Sequence, residues 1–286
     1  MATTVVNLLD GIAYGLLLFT VGAGLALIFG VMDVLNLAHG TLYLAGAYVA
    51  ALFTGTGLLG FLTAVLAGAA CGALAGGLLT ALLRPLREAG QLEQALLTLG
   101  IAFVAGWAFT QLAGADPQPA DPPGLLAGSV TVLGRGYPLY RLLFIGVAAA
   151  IAVALHVVVR RTPAGMVLRA TVSDPAMAAA AGIRTGRVRT VALAVGASLA
   201  VGAGVLGAPL IGPAPGVDTH ILTLSLIVVV LGGAGSIPHT LTAALLVGQV
   251  QAFTAALPAL APFLLFGAVL AVFVTRGRAA TAVRRA

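Results

Sequence analysis

Residues 34–83 read VLNLAHGTLYLAGAYVAALFTGTGLLGFLTAVLAGAACGALAGGLLTALL, a run of 50 positions without Asp, Glu, Lys or Arg. A second run without these residues, 219–275, is 57 positions long. Globular domains are about 25% charged, whereas this chain is 8% charged and has a mean hydropathy of +1.13. Because a helix needs about 20 apolar residues to cross a bilayer, these runs indicate a polytopic membrane protein.

Four other windows lack charged residues, and each has room for one crossing: residues 11–32, 94–115, 142–159 and 190–217. Residues 34–83 have room for two crossings and residues 219–275 for one to three. We therefore predict an all-α, polytopic fold of about eight transmembrane helices (roughly 7–9), with residues 1–286 as a single transmembrane domain. Ser236-Ile237-Pro238 interrupts the last run, so we expect some helices to be broken or re-entrant. The 38 glycines predict close helix packing, since small residues let backbones approach.

The positive charges predict the orientation. Of the 14 arginines, 12 lie at Arg84 and Arg87, in residues 160–189, or in the tail 276–286. Residues 114–124 contain two aspartates and four prolines but no positive charge. By the positive-inside rule, the arginine clusters are cytoplasmic, and the Pro-rich stretch and the N-terminus are external.

Two arginines, Arg135 and Arg141, fall on the predicted outer side as exceptions to this rule. The pI of about 10.4 then reflects orientation in the membrane and not nucleic-acid binding. No basic segment precedes the first apolar run, so we expect that run to be kept as a helix and not removed as a signal peptide.

The predicted cytoplasmic segment 160–189 contains signals for two short helices. Thr162 can cap a helix that has Pro163 at its first position, and Asp174 with Pro175 repeats the arrangement. Gly182 follows as a residue that can end a helix in the left-handed conformation. The simpler interpretation is a solvated connector whose arginines only set the orientation. Two capped helices are more than orientation requires, so we favour a rigid surface on which a cytoplasmic partner docks.

The same segment resembles a known family. Residues 165–183 read GMVLRATVSDPAMAAAAGI and are similar to the pattern G-x-x-x-R-A-x-x-x-D-x-x-x-A-x-x-x-G-I of the LivH-type branched-chain amino acid ABC transporter permease family. The shared positions are Gly165, Arg169, Ala170, Asp174, Ala178, Gly182 and Ile183. Residues 24–50 resemble the family's N-terminal signature, with Asn36, His39, Gly40, Gly46, Ala47 and Tyr48 in register. VVLGGAGSI at 229–237 resembles its C-terminal glycine motif.

The resemblance implies the transmembrane permease subunit of a bacterial ABC importer, a multi-pass protein of the inner membrane that carries branched-chain amino acids. It also implies four partners besides membrane lipid: two cytoplasmic ATPase subunits, a second related permease and a periplasmic substrate-binding protein. The ATPases would bind the docking loop, in which the shared residues are Gly165, Arg169, Ala170, Asp174 and Gly182. The chain departs from the family after Ser236, where Pro238 replaces a glycine-rich continuation. A permease for urea, amides or aromatic acids is therefore the near alternative.

Candidate residues for the translocation path lie in two stretches. Asn36 and His39 are three positions apart, which places them on one face if the stretch is helical, and polar groups at membrane depth tend to face a cavity or a partner. The glycines near residue 233 interrupt an apolar helix, as in the broken helices of transporters. The alternatives are a membrane-surface turn for the first stretch and tight helix packing for the second. The candidates are Asn36, His39, Gly40, Gly46, Tyr48, Gly232, Gly233, Gly235 and Ser236.

Motifs for catalysis and for cofactors are missing from the sequence. It has no G-x-x-x-x-G-K-[ST] phosphate loop, no H-E-x-x-H and no G-x-S-x-G. Cys71 is the only cysteine, and the histidines lack the spacing of metal ligands. We therefore expect no enzymatic activity, no cofactor and no metal. A secondary carrier or channel remains the rival class, although it would need ionisable residues inside the bundle to couple ions, and this chain has few.

Overall fold

Helices form nearly all the regular structure of the computed structural model, which describes residues 2–33, 35–86, 90–233, 236–257 and 259–283. The helices are α1 (Ala2–Met32), α2 (His39–Leu52), α3 (Gly57–Leu83), α4 (Gln91–Ala113), α5 (Leu139–Arg161), α6 (Pro163–Ser173), α7 (Pro175–Ala180), α8 (Thr185–Gly207), α9 (Val217–Gly232), α10 (Ile237–Phe253) and α11 (Leu260–Val283). A short 3₁₀ turn, Gly124–Leu126, precedes an antiparallel hairpin of β1 (Ser129–Val132) and β2 (Arg135–Pro138). The all-α, polytopic prediction is confirmed, apart from this hairpin in the predicted outer loop.

The helix lengths refine the predicted count. Within the described ranges, nine helices have 14 or more residues, and five of them (α1, α3, α4, α5 and α8) are long and apolar enough to cross a membrane. Helices α2, α9 and α10 have 14, 16 and 17 residues. At about 1.5 Å per residue they are shorter than a bilayer core of about 30 Å. Residues 219–275 contain most of α9, all of α10 and the first part of α11, so three of the nine helices fall in this charge-free run.

Two interruptions divide consecutive helices, and the sequence predicted the second of them. Residues 33–38 divide α1 from α2, and residues 233–236 divide α9 from α10. Gly233 has a φ of +82°, a conformation that glycine adopts without strain. Ser236 is extended and precedes α10, whose second residue is Pro238. Proline is tolerated in a first turn because its missing N–H would have no helical partner there.

Rows of glycines allow helices of the bundle to pack closely against one another. In α3, Gly68, Gly72 and Gly76 lie one turn apart and face α8. A Cβ added at Gly72 would lie 2.6 Å from Ser198 Cα, and one at Gly76 would lie 2.5 Å from the Leu193 carbonyl oxygen. The backbones therefore approach more closely than any side chain allows, which confirms the packing expected from the glycine content.

The first four of the nine helices (α1, α2, α3 and α4) and the last four (α8, α9, α10 and α11) make reciprocal contacts. Helix α1 packs along α10, and α3 packs along α8, so the first helix of each group lies on the third helix of the other. Gly24 of α1 and Gly196 of α8 touch between the groups: a Cβ on either would lie within 2.8 Å of the other's carbonyl oxygen. Helix α1 is consequently surrounded, with Leu17, Leu18 and Phe19 all fully buried. This pattern is typical of transporters built from internal repeats.

Contacts between loops fit the predicted sidedness. The backbone N–H of Gln118 donates to the Pro213 carbonyl at 2.9 Å, which joins two loops that the charge pattern places outside. At the same end, Arg141 forms an ion pair with Asp10, and the Tyr137 hydroxyl donates to Asp10 at 3.0 Å. Burial, followed by the nearby Asp10 charge, raises the pKa of Tyr137, so its hydroxyl stays protonated as a donor. Arg141 is thus neutralised by its partner, which explains one of the two exceptional outer arginines.

Candidate functional site

Helix α6 is fastened to the end of α5 by a compact set of contacts. The Thr162 hydroxyl donates to the Val158 carbonyl at 2.6 Å and accepts from the Gly165 N–H at 3.2 Å. Arg169, one turn further along α6, donates to the Val159 carbonyl. A Cβ at Gly165 would lie 2.3 Å from the carbonyl oxygens of Val158 and Val159, so only glycine fits there. The angle between α5 and α6 is therefore fixed by specific contacts.

The junction between α6 and α7 depends on Asp174. Its side chain accepts from the Met177 N–H at 2.9 Å, and its own N–H donates to the Ala170 carbonyl at 3.1 Å. Asp174 therefore ends α6 and caps α7 at once. Gly182 ends the segment with a φ of +86°. These observations confirm the helix starts expected at Thr162 and Asp174 and the left-handed residue expected at Gly182.

The outer faces of α6 and α7 are unusually apolar for exposed helices. Met166 and Met177 are 62% and 67% exposed, and Ala170 is also exposed. Methionine is flexible and polarizable, and it is common on surfaces that bind partner proteins. Arg160 and Arg161, in the last turn of α5, add positive charge just before α6. We call Met166, Ala170 and Met177 the docking face.

Helix α6 also borders a cavity near the interruption between α9 and α10. This cavity of about 270 Å³ is lined by residues of α1, α5, α6, α8 and α10. Arg169 and Ser173 line it from α6, and Ser236 and Thr240 line it from the start of α10. An adjoining cavity brings Arg169 next to Ser236 and Pro238. The structure therefore places Arg169 and Ser236, which the sequence assigned to different roles, around one space.

The α9–α10 interruption itself is tightly packed. A Cβ at Gly232 would lie 2.7 Å from Thr240 Cα, so the end of α9 and the start of α10 nearly touch. The Gly233 N–H donates to the Val229 carbonyl at 2.8 Å and completes the last turn of α9. Gly235, the remaining glycine predicted in this group, lies outside the described residues. Gly232 thus serves close packing, while Ser236 borders a cavity.

Asn36 and His39 do not share a helical face, and that expectation is wrong. Asn36 precedes α2 in a turn, where its side-chain oxygen accepts from the Ala38 N–H at 3.1 Å. His39 is the first residue of α2, and its Nε2 lies 3.0 Å from the Val21 carbonyl oxygen. Both side chains are buried. Asn36 Nδ2 and His39 Nδ1 have no hydrogen-bond partner among the described residues. The two side chains therefore lie inside the protein, whereas Asp33 and Leu35 of the same connection are exposed, so a turn at a membrane surface stays open as the alternative.

The other candidates on α2 face three different helices. A Cβ at Gly40 would lie 2.1 Å from the Asp218 carbonyl oxygen of α9, and one at Gly46 would lie 1.9 Å from the Val201 carbonyl oxygen of α8. Tyr48 instead faces α4, with its ring centroid 5.3 Å from that of Phe109. Tyr48 also lines a cavity, an open groove between α2, α4 and α9.

Asp218 also lines this groove, although it belongs to no sequence motif. It lies opposite Tyr48 in the first turn of α9. The sequence does contain a signal for it, because Asp218 is the only Asp, Glu, Lys or Arg between residues 190 and 275. A lone carboxylate in so apolar a region is a functional candidate by default.

Three features are typical of a multi-pass membrane permease: the interrupted helices, the close packing at glycines, and the α6–α7 segment that hydrogen bonds hold in place. The chain belongs to the family described as branched-chain amino acid transport system / permease component, whose model matches residues 7–274.

Similar proteins in several bacteria carry the same description. The high-affinity branched-chain amino acid transport system permease protein LivH of Salmonella typhimurium is 24% identical over 267 residues, which are 87% of this chain and 85% of that protein. LivH of Escherichia coli is 25% identical over the same shares of both chains. The corresponding protein BraD of Pseudomonas aeruginosa is 26% identical over 264 residues, again 87% and 85%. No solved structure matches the chain significantly.

Proposed function

We propose that this chain is the transmembrane permease subunit of a bacterial ABC importer for branched-chain amino acids. It would lie in the inner membrane as one permease domain, residues 1–286, with loop 160–189 and tail 276–286 in the cytoplasm. ATP would be hydrolysed by two separate subunits, since the sequence contains no phosphate loop of its own. A second related permease and a periplasmic binding protein would complete the transporter.

One observation supports the ATP-driven mechanism: helix α6 carries exposed residues of the docking face and also lines the cavity at the start of α10. ATPases that bind Met166 and Met177 would move α6 when they close on ATP. Arg169 and Ser173, which line the cavity on that helix, would then move relative to Ser236. A closure outside the membrane is thereby transmitted to a broken helix inside it, which is where transporters form their substrate path.

The candidate path residues take different parts in this proposal. Ser236 borders the cavity that would change shape, and Gly232 and Gly233 allow the hinge beside it. Gly40 and Gly46 hold α2 against α9 and α8, so that α2 moves with them as a unit. The substrate follows from the family and from the printed names of the relatives. Urea, amides and aromatic acids are the alternatives that a transport assay must exclude.

The test is reconstitution of the permease in proteoliposomes with the ATPases and binding protein encoded beside it. The complex is expected to take up radiolabelled leucine in an ATP-dependent manner, and labelled urea much less. Met177→Glu should reduce both leucine uptake and co-purification of the ATPases, because a carboxylate would replace an apolar contact at the docking face. Leu125→Glu is the matched control, since Leu125 is 78% exposed on the predicted outer side.

Two results would contradict the proposal. Leucine uptake without ATP, driven by an ion gradient alone, would indicate a secondary carrier. Equal loss of ATPase binding in Met177→Glu and Leu125→Glu would indicate general damage and remove α7 from the docking interface.

A further inference from the structure

The groove between α2, α4 and α9 combines one carboxylate with an aromatic wall. It has a volume of about 200 Å³ and is lined by Tyr48, Phe103, Trp107 and Asp218, among others. Typical sites for drug-sized ligands are roughly 300 to 1,000 Å³, so this groove suits a small molecule. Phe103 and Trp107 form the α4 wall of the groove, and the described residues leave 70% and 66% of their surface uncovered.

The Asp218 carboxylate is unpaired and points towards the groove. No hydrogen bond or ion pair reaches it from the residues that the structure describes. A Cβ added at Gly106 of α4 would lie 3.8 Å from Asp218 Oδ2, so the carboxylate faces α4 across the groove. Tyr48 of α2 lines the same groove. The Asp218 side chain thus extends away from its own helix and meets α2 and α4.

A simpler explanation for Asp218 is its favourable interaction with the N-terminus of α9. That interaction accounts for neither the aromatic neighbours nor the cavity. An unpaired carboxylate among aromatic faces is the usual composition of a site for an organic cation, because carboxylate and ring faces both attract positive charge. The buried Tyr48 hydroxyl also has no hydrogen-bond partner among the described residues, so a polar ligand atom could satisfy it.

The position of the groove fits substrate entry from outside. Pro215 and Gly216, which also line it, belong to the loop that contacts the predicted outer segment through Pro213 and Gln118. The groove therefore lies at the end of the bundle opposite α6 and α7. A substrate released by a binding protein would meet it before reaching the cavity beside Ser236.

We infer that this groove recognises the α-ammonium group of a zwitterionic amino acid, with Asp218 as the counter-ion and Trp107 and Phe103 as the cation-binding faces. This assignment rests on the proposed transport function and narrows its substrate class. Urea is uncharged, and an aromatic acid without an amino group is an anion, so neither would gain from Asp218. The groove thus selects against the alternative substrates at the entrance of the permease.

Trp107 is the only tryptophan in the chain, so its fluorescence reports directly on the groove. The full-length permease in lipid nanodiscs is titrated with leucine, with 3-methylbutylamine (leucine without its carboxylate), with 4-methylpentanoate (leucine without its ammonium) and with urea. Leucine and 3-methylbutylamine should change the emission saturably, and the other two should not. Asp218→Asn should weaken the binding of both ammonium ligands about tenfold or more, since a charge-assisted interaction is lost.

Asp116→Asn is the control, because it removes the same charge from an exposed position in the predicted outer loop and should leave the titration unchanged. Equal binding of leucine and 4-methylpentanoate, no saturable response to leucine, or wild-type affinity in Asp218→Asn would overturn the inference. These experiments distinguish a failure of the groove assignment from a failure of the proposed importer function. ATP-dependent leucine uptake without ammonium selectivity in the groove removes only the groove assignment. Ammonium binding without ATP-dependent uptake removes only the importer.

Discussion

Replacing Asp174 by alanine tests whether the docking segment transmits force or merely connects two helices. The substitution removes the acceptor of the 2.9 Å hydrogen bond from the Met177 N–H. Loss of a helix cap costs about 1 kcal/mol, which lowers the population of the ordered form about fivefold. Helix α7 has only six residues, too few to be stable without its cap and its contacts. The membrane-embedded helices do not depend on this hydrogen bond.

We therefore expect Asp174→Ala to insert normally but to co-purify less ATPase, while substrate-stimulated ATP hydrolysis and leucine uptake fall together by about threefold to tenfold given that free energy. The assay compares both rates in proteoliposomes at equal permease content. Asp174→Asn is the matched control, since asparagine caps a helix as well as aspartate does and should retain most of the activity. The reasoning is refuted if Asp174→Ala couples hydrolysis to uptake at the wild-type rate, because α7 would then need no cap to work. Equal loss in both variants would instead assign the effect to the charge.

Two further predictions concern the hinge and the orientation. Gly232→Ala should lower thermal stability in detergent by about 1–3 kcal/mol and slow uptake, because its Cβ would lie 2.7 Å from Thr240 Cα, whereas Gly77→Ala, which has open space around it, should be neutral or stabilising. Wild-type stability and uptake in Gly232→Ala would show that the contact can relax freely. Single cysteines at positions 120 and 175 of a cysteine-free variant should react with an impermeant maleimide from the periplasm and from the cytoplasm respectively. Periplasmic labelling at 175 would contradict both the orientation and the docking of ATPases.

Several features of the functional segments could be predicted from the sequence because their causes are local. A hydroxyl or carboxylate followed by proline caps a helix through hydrogen bonds that span three residues, and Thr162 and Asp174 both do so. Gly182 adopts the left-handed conformation because the end of a helix favours it and glycine permits it. The interruption near Gly233 follows from the same permissiveness, combined with a proline two residues into the next helix.

The same local reasoning failed at Asn36. A spacing of three places two residues on one face only if both are helical, and α2 begins at His39. What holds the preceding turn is distant in sequence: the Leu37 N–H donates to the Thr98 hydroxyl of α4 at 3.0 Å. Hydropathy also could not separate a crossing from a turn here, because the sequence from residue 34 through the whole of α2 contains no charged residue.

The sequence by itself determined the membrane class, the capped helices of the docking segment and the position of the broken helix. Each of these depends on composition or on residues within a few positions of one another. Only the tertiary structure decided that Arg169 and Ser236 line one cavity, that Gly46 serves packing against α8, and that Asp218 lines one groove with aromatic residues of α4. Those pairings join segments separated by about 70 to 155 residues. They are set by how uncharged helices pack against one another, and along an apolar helix no periodicity marks which face meets lipid and which meets protein.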